Sequence, residues 1–216
     1  MMRRYWISIA VLAGALVAFA LLSTLVFVGG SDSWDVRLLS AAGHLRAAPL
    51  DWLMLRVTDL GAWFVLAPLT VIAVVALQMA RRRPAAALVA AVVIGAQILQ
   101  VTLKAAFGRP RPEITVPLEH VSSAAYPSGH ATVSCAFALA LCIVFWRARS
   151  RSAVAAIAAA YVLAVGFSRV YLGVHYPSDV LAGWLVAAAW VAAVDLAVSV
   201  FWVRGCASVG GVRDQR

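Results

Sequence analysis

Six long apolar stretches, parted by short runs rich in arginine, dictate what this chain can fold into. They cover roughly residues 5–28, 60–79, 84–105, 129–146, 152–167 and 179–203. About 20 apolar residues suffice to cross the hydrocarbon core of a bilayer as a helix. Lipid offers the backbone no hydrogen-bond partners, so each crossing segment must pair its own N–H and C=O groups. The expected fold is therefore all-α, a polytopic membrane protein with six transmembrane helices. Composition agrees, because 64% of the 216 residues are hydrophobic and only 12% are charged, where a soluble domain carries about 25%. The first stretch follows Arg3 and Arg4 as a secretory signal would. It outruns the ~7–15 residues of a signal core and lacks an obvious small-residue cleavage site, so it reads as a retained helix. Residues 1–216 then form one membrane domain, with 204–216 as a cytoplasmic tail.

The net charge of +9 does not mark a nucleic-acid binder, because the arginines do not gather in one soluble patch. Arg3 and Arg4 precede the first segment, and Arg81, Arg82 and Arg83 join the second to the third. Arg147, Arg149 and Arg151 join the fourth to the fifth, and Arg204, Arg213 and Arg216 follow the sixth. In a six-helix chain all four groups fall on one side. The positive-inside rule makes that side cytoplasmic and puts both termini there. The three cysteines, Cys135, Cys142 and Cys206, are too few and too scattered for a disulfide framework and read as apolar filler.

Between the first two segments, residues 31–59 mix leucines with Arg37, Arg46, Arg56 and four aspartates. This pattern predicts one or two amphipathic helices lying in the membrane interface, most simply as a structural cap. His44 sits there without a motif and reads as a surface histidine.

Three polar stretches lie at the ends of apolar segments on the opposite, outer side. Lys104, the chain's only lysine, opens KAAFGRPRP, where Arg109 and Arg111 alternate with prolines. Alone this would pass for an interfacial anchor. Pro127, Ser128, Gly129 and His130 open the fourth segment. A helix start presents unpaired N–H groups and a positive partial charge, a ready anion site. Ser128 either caps that helix or donates its hydroxyl to an anion. The third stretch, SRVYLGVHYPSD, joins Arg169 to His175 and Asp179. A carboxylate four residues after a histidine can fix its tautomer and support the charge it gains as a nucleophile. Ionisable groups at membrane depth are costly, so three such clusters on one side read as a functional site. Cations, hydroxyls and imidazoles together suit a phosphate attacked by a histidine.

These residues resemble the type 2 phosphatidic acid phosphatase superfamily, the lipid phosphate phosphatases. Lys104, Arg111 and Pro112 fit K-x6-R-P; residues 127–130 fit PSGH; Ser168, Arg169, His175 and Asp179 fit S-R-x5-H-x3-D. The likeness extends over about 51–203. It implies that Lys104, Arg111 and Arg169 hold the phosphate oxygens, aided by Ser128 and the backbone at Gly129. It implies that His175 attacks phosphorus, that Asp179 orients His175, and that His130 protonates the leaving oxygen and then activates water. It implies no metal and no cofactor, since the cations stabilise the charge. Glu113, Glu119 and His120 read as solvated loop residues. Asp195, ~24 Å along its helix from Asp179, is expected to be paired near the cytoplasmic face.

The resulting expectation is a membrane lipid phosphate or diphosphate phosphatase with its site on the outer face. Undecaprenyl diphosphate is the preferred substrate, with phosphatidate and phosphatidylglycerol phosphate as competitors. A non-enzymatic anion or lipid transporter would instead bury charges along a path between the two sides. Here only Asp195, Gln97 and Gln100 leave the outer end. A haloperoxidase-like relative would be soluble. No nucleic-acid partner is expected, and the pattern does not fix an oligomeric state.

Overall fold

The structure, a computed structural model, describes residues 2–146 and 148–210. Eight helices account for nearly all of them, and no strand occurs among the described residues. They are α1 (Met2–Phe27), α2 (Asp32–His44), α3 (Ala48–Asp59), α4 (Trp63–Met79), α5 (Arg83–Phe107), α6 (Gly129–Val144), α7 (Arg151–Tyr171) and α8 (Pro177–Gly210). The all-helical expectation holds, and residues 31–59 form the two short helices α2 and α3.

By length and apolar character α1, α5, α7 and α8 can each cross a membrane, and α3 with α4 forms a pair bent by 45° that together passes the same test. This gives a multi-pass membrane protein with four or five candidate crossings. The expected six differ because α6 has 16 residues and α4 has 17. At 1.5 Å per residue these reach only about 24–26 Å, short of a core ~30 Å thick. The outer faces carry exposed Leu16, Leu21, Ile72, Ile98 and Ile157, as lipid contact demands.

The helix α6 is central, packed by α4, α5, α7 and α8. Its small residues Ala136 and Ala140 meet Val89, Val92 and Val93 of α5 and Val191 of α8 in one buried cluster. Small side chains let helices approach where the hydrophobic effect gives no drive. Gly183 on α8 lets the backbones of α8 and α6 approach, because a Cβ there would lie 2.8 Å from the backbone oxygen of Ser128. That contact sets the start of α6 against the start of α8. α1 packs along α8.

At the end remote from the three polar stretches, Asp195 of α8 pairs with Arg4 and accepts the Ser8 hydroxyl at 2.8 Å. The expected pairing of Asp195 is present. Arg82 donates to the carbonyl of Val144 at 3.0 Å at this same end. Arg147, Arg213 and Arg216 lie outside the described residues, as do the side chains of Arg204 and Cys206. Cys135 is buried and Cys142 half-buried, and neither is bridged.

Candidate active site

Helix ends bring the three stretches together. α5 ends at Gly108, in the left-handed region at φ 58°, which turns the chain into Arg109. Residues 108–128 then cross to α6 without regular structure. Their course is pinned by Ala125 N–H to the Arg109 carbonyl at 2.9 Å and by Leu118 N–H to the Leu172 carbonyl at 3.0 Å. Tyr126, fully buried, packs among Phe19 and Phe27 of α1 and Phe107 of α5. Its hydroxyl meets that of Ser23 at 2.7 Å. This aromatic anchor fixes the entry to α6.

A cavity of about 480 Å³ opens at this end. Lys104, Arg111, Gly129, His130, Arg169 and His175 all line it. Ser128 and Asp179 sit immediately behind, both fully buried. The structure therefore gathers every site residue expected from the sequence.

His175 lies between α7 and α8, and Asp179 lies in the first turn of α8. The Nδ1 of His175 faces Oδ2 of Asp179 at 3.4 Å, and its Nε2 faces Nη1 of Arg111 at 3.3 Å. The tautomer that satisfies both contacts carries its proton on Nδ1 and leaves the Nε2 lone pair to accept from Arg111. Burial first, then the cations of Arg169, Arg111 and Lys104, hold the His175 pKa well below its usual 6.5. Its imidazole is neutral at pH 7, the state a nucleophile needs.

Arg111 is braced by the carbonyls of Ser123 at 2.8 Å and Val174 at 2.6 Å. Burial and then Arg169 lower its pKa to about 10. Lys104 donates to the carbonyl of Ala124. Arg169 is fully buried inside α7, and its Nη1 donates to Thr58 of α3 at 2.5 Å and to Glu119 at 2.6 Å. Its Nε and Nη2 are buried without partners, as is the hydroxyl of Ser128. Ser128 occupies the cap position of α6 yet makes no capping bond with its side chain. Of the two roles open to it, the free hydroxyl is the one the structure leaves. Gly129 matters for close approach, since a Cβ there would lie 2.8 Å from Oε1 of Gln100.

Several contributors escaped the sequence reading. Glu119 is not a solvated loop residue, because its carboxylate pairs with Arg169; Glu113 and His120 are exposed as expected, and so is His44. Residues 31–59 are more than a cap. Asp35 of α2 is fully buried and takes the backbone N–H of Ser178 at 2.9 Å and Arg109 Nη2 at 3.0 Å. Amphipathic periodicity shows which face of a helix is apolar. It does not show that one acid will meet an arginine 74 residues away. Arg109, buried too, donates to Asp179 at 2.5 Å. Burial opposes its charge, but Asp179 and Asp35 outweigh burial and raise its pKa. Gln97 and Gln100, on the Lys104 face of α5, line the cavity deeper in, and the Gln100 Oε1 is buried without a partner. The one signal the sequence offered was two glutamines inside an apolar segment.

The geometry has counterparts among known proteins. A model of the PAP2 superfamily matches residues 85–202. The chain is 32% identical over 170 residues to phosphatidylglycerophosphatase B of Bacillus subtilis, covering 76% of this chain and 83% of that protein. It is 28% identical over 206 residues to the undecaprenyl-diphosphatase of Sulfolobus acidocaldarius, covering 90% of each. Among solved structures it is similar to a transmembrane PAP2-type phosphatidylglycerolphosphate phosphatase from Bacillus subtilis. That likeness has a TM-score of 0.79 and 29% identity, over 85% of this chain and 94% of the other.

Proposed function

The chain belongs to the PAP2 superfamily, and on that premise we propose that its cavity hydrolyses a lipid diphosphate through a phosphohistidine. At the coarser level it is a membrane-embedded lipid phosphatase, a hydrolase of phosphate esters. The observation that carries the finer reading is the single cavity that joins three cations to two histidines.

Lys104, Arg111 and Arg169 hold the phosphate oxygens, with the Ser128 hydroxyl and the backbone at Gly129 completing the cradle. The Nε2 of His175 attacks the terminal phosphorus as the bond from that phosphorus to the bridging oxygen breaks, so the lipid monophosphate is the leaving group. His130 gives its proton to that oxygen. The negative charge of the bound phosphate offsets the surrounding cations and lets His130 carry that proton. His130 then takes a proton from water, the water oxygen attacks phosphorus, and the N–P bond breaks. Orthophosphate leaves and His175 is restored. Asp179 keeps Nδ1 protonated and supports the positive charge that develops on the ring. The cations supply the transition-state stabilisation.

Undecaprenyl diphosphate is the preferred substrate. Its support is the likeness to the Sulfolobus relative along 90% of each chain. Further support comes from Gln97 and Gln100, whose amides line the cavity below Lys104, where a second phosphate would meet them. Phosphatidylglycerol phosphate is the second reading, favoured by the Bacillus relative. The membrane is crossed six times, with α4 and α6 as short spans. Both termini face the cytoplasm and the cavity faces outward, as the arginine distribution supports.

The test is phosphate release by purified protein in detergent with EDTA, comparing undecaprenyl diphosphate, phosphatidate and phosphatidylglycerol phosphate. Fastest release from the diphosphate, lost in His175→Ala, is expected. Release that survives in His175→Ala would sink the phosphohistidine, and faster release from a monoester would sink the substrate assignment.

A further inference from the structure

Asp179 has three partners that bear on its aim. Its Oδ2 faces Nδ1 of His175 at 3.4 Å and accepts the Tyr176 N–H at 2.9 Å. Its Oδ1 accepts Nη1 of Arg109 at 2.5 Å. A guanidinium beside a lone carboxylate prefers to bind both oxygens with two parallel N–H groups. Here it does not, because Nη2 of Arg109 is taken by Oδ2 of Asp35 at 3.0 Å. Asp35 is itself fixed to the start of α8. Its Oδ1 accepts the Ser178 N–H at 2.9 Å and its Oδ2 accepts the Ser178 hydroxyl at 2.5 Å. The Tyr176 ring covers the guanidinium, 4.4 Å from its Cζ. One cation thus bridges two carboxylates that are both fully buried.

We propose that Asp35 is a positioning residue for the reaction. It acts through Arg109 to leave Asp179 Oδ2 turned toward His175. The proposal rests on His175 as the nucleophile. Asp35 holds Arg109 to a single contact with Asp179, so the oxygen that His175 needs stays free. Asp35→Asn sets an amide donor against either the Arg109 guanidinium or the Ser178 N–H, both of which donate.

Steady-state kinetics of Asp35→Asn, Arg109→Gln and the double variant test this, with thermal unfolding in detergent as the folding check. Asp35→Asn is expected to lower kcat about 10- to 100-fold, the range for groups that orient a functional side chain. KM should stay within about threefold, because Asp35 does not touch the phosphate cradle. The double variant should be no slower than Arg109→Gln alone, because the effect of Asp35 runs through that guanidinium. Multiplying losses, unchanged kcat in Asp35→Asn, or a loss confined to KM would overturn the role. Breaking one half of a buried ion pair can unfold a protein, whereas removing both halves is tolerated better. Should Asp35→Asn not fold, the double variant set against Arg109→Gln decides by the same criterion. Wild-type protein that releases no phosphate overturns the functional reading and this role with it. An active wild type with an unaffected Asp35→Asn overturns this role alone.

Discussion

The two walls of the cavity treat their polar groups in opposite ways. Behind the wall formed by the start of α8, Asp35, Arg109 and Asp179 bond to one another and to the neighbouring backbone. On the wall formed by α6, α7 and the deep part of α5, the Ser128 hydroxyl, two nitrogens of Arg169 and the oxygen of Gln100 are buried with no partner. A buried polar group left unpaired costs stability, and a fully connected network recovers that cost. One wall therefore serves to hold a geometry. The other is kept ready for oxygens that arrive with a substrate, and the protein is less stable for it. Substitutions on the first wall should cost stability and turnover together, while those on the second should cost chiefly activity.

The largest expected effect belongs where the walls meet. His175→Ala should lower kcat by at least about 10⁴-fold, as loss of a covalent nucleophile does. Single-turnover phosphate release measures it, and residual turnover within a hundredfold of wild type would remove His175 from that role. On the open wall, Arg169→Lys keeps the charge but cannot serve Thr58, Glu119 and a phosphate at once. A fall of about 10²–10³-fold in kcat/KM is expected, with a smaller loss of thermal stability from the contacts to Thr58 and Glu119. Ser128→Ala sharpens the contrast: about 10-fold in kcat/KM, without loss of thermal stability. A melting point that drops by many degrees would mean that the hydroxyl has a structural partner after all.

The pH profile probes the same junction. Neutral His175 is the reactive form, and its pKa is lowered by burial and then by Arg169, Arg111 and Lys104. The acid limb of kcat/KM, which reports the free enzyme, should therefore lie well below pH 6.5. Arg111→Gln removes one of those cations, so the limb should move up toward 6.5. A limb that stays put would separate Arg111 from His175 electrostatically. The smallest effect is expected at Glu119, whose side chain is 31% exposed where it pairs with Arg169. A pair with one solvent-screened partner is worth about 0.2–1 kcal/mol. Glu119→Gln should therefore tighten inhibition by inorganic phosphate only about two- to fivefold. Weaker inhibition would show that Glu119 aims Arg169 rather than competing for it.

Much of the fold was legible because lipid imposes a simple rule. α1, α5, α7 and α8 follow directly from runs of apolar residues. α6 and α4 were read as full spans, yet their helices stop short, at Val144 and at Trp63, where turns take over. Arg169 was read as ending its segment, but α7 continues to Tyr171 and carries the guanidinium inside the bundle. Among site residues, Lys104, Ser128, Gly129, His130, Arg169, His175 and Asp179 were legible because each lies in a short local pattern at a segment end. Arg109 was visible in the same run as Arg111, but alternation with proline could not tell which faces the cavity and which faces Asp35.

The sequence by itself determined that this chain lives in a membrane and that its chemistry gathers at one end of the bundle. Charge is expensive in hydrocarbon, so its rare clusters cannot be incidental. Only the tertiary structure decided which polar groups meet. Asp35 reaches Ser178 across 143 residues and Arg109 across 74. Glu119 reaches Arg169 across 50. Such pairings depend on how α2, α7 and α8 pack and where a loop is pinned, and hydrophobic periodicity carries no record of a single side chain's partner.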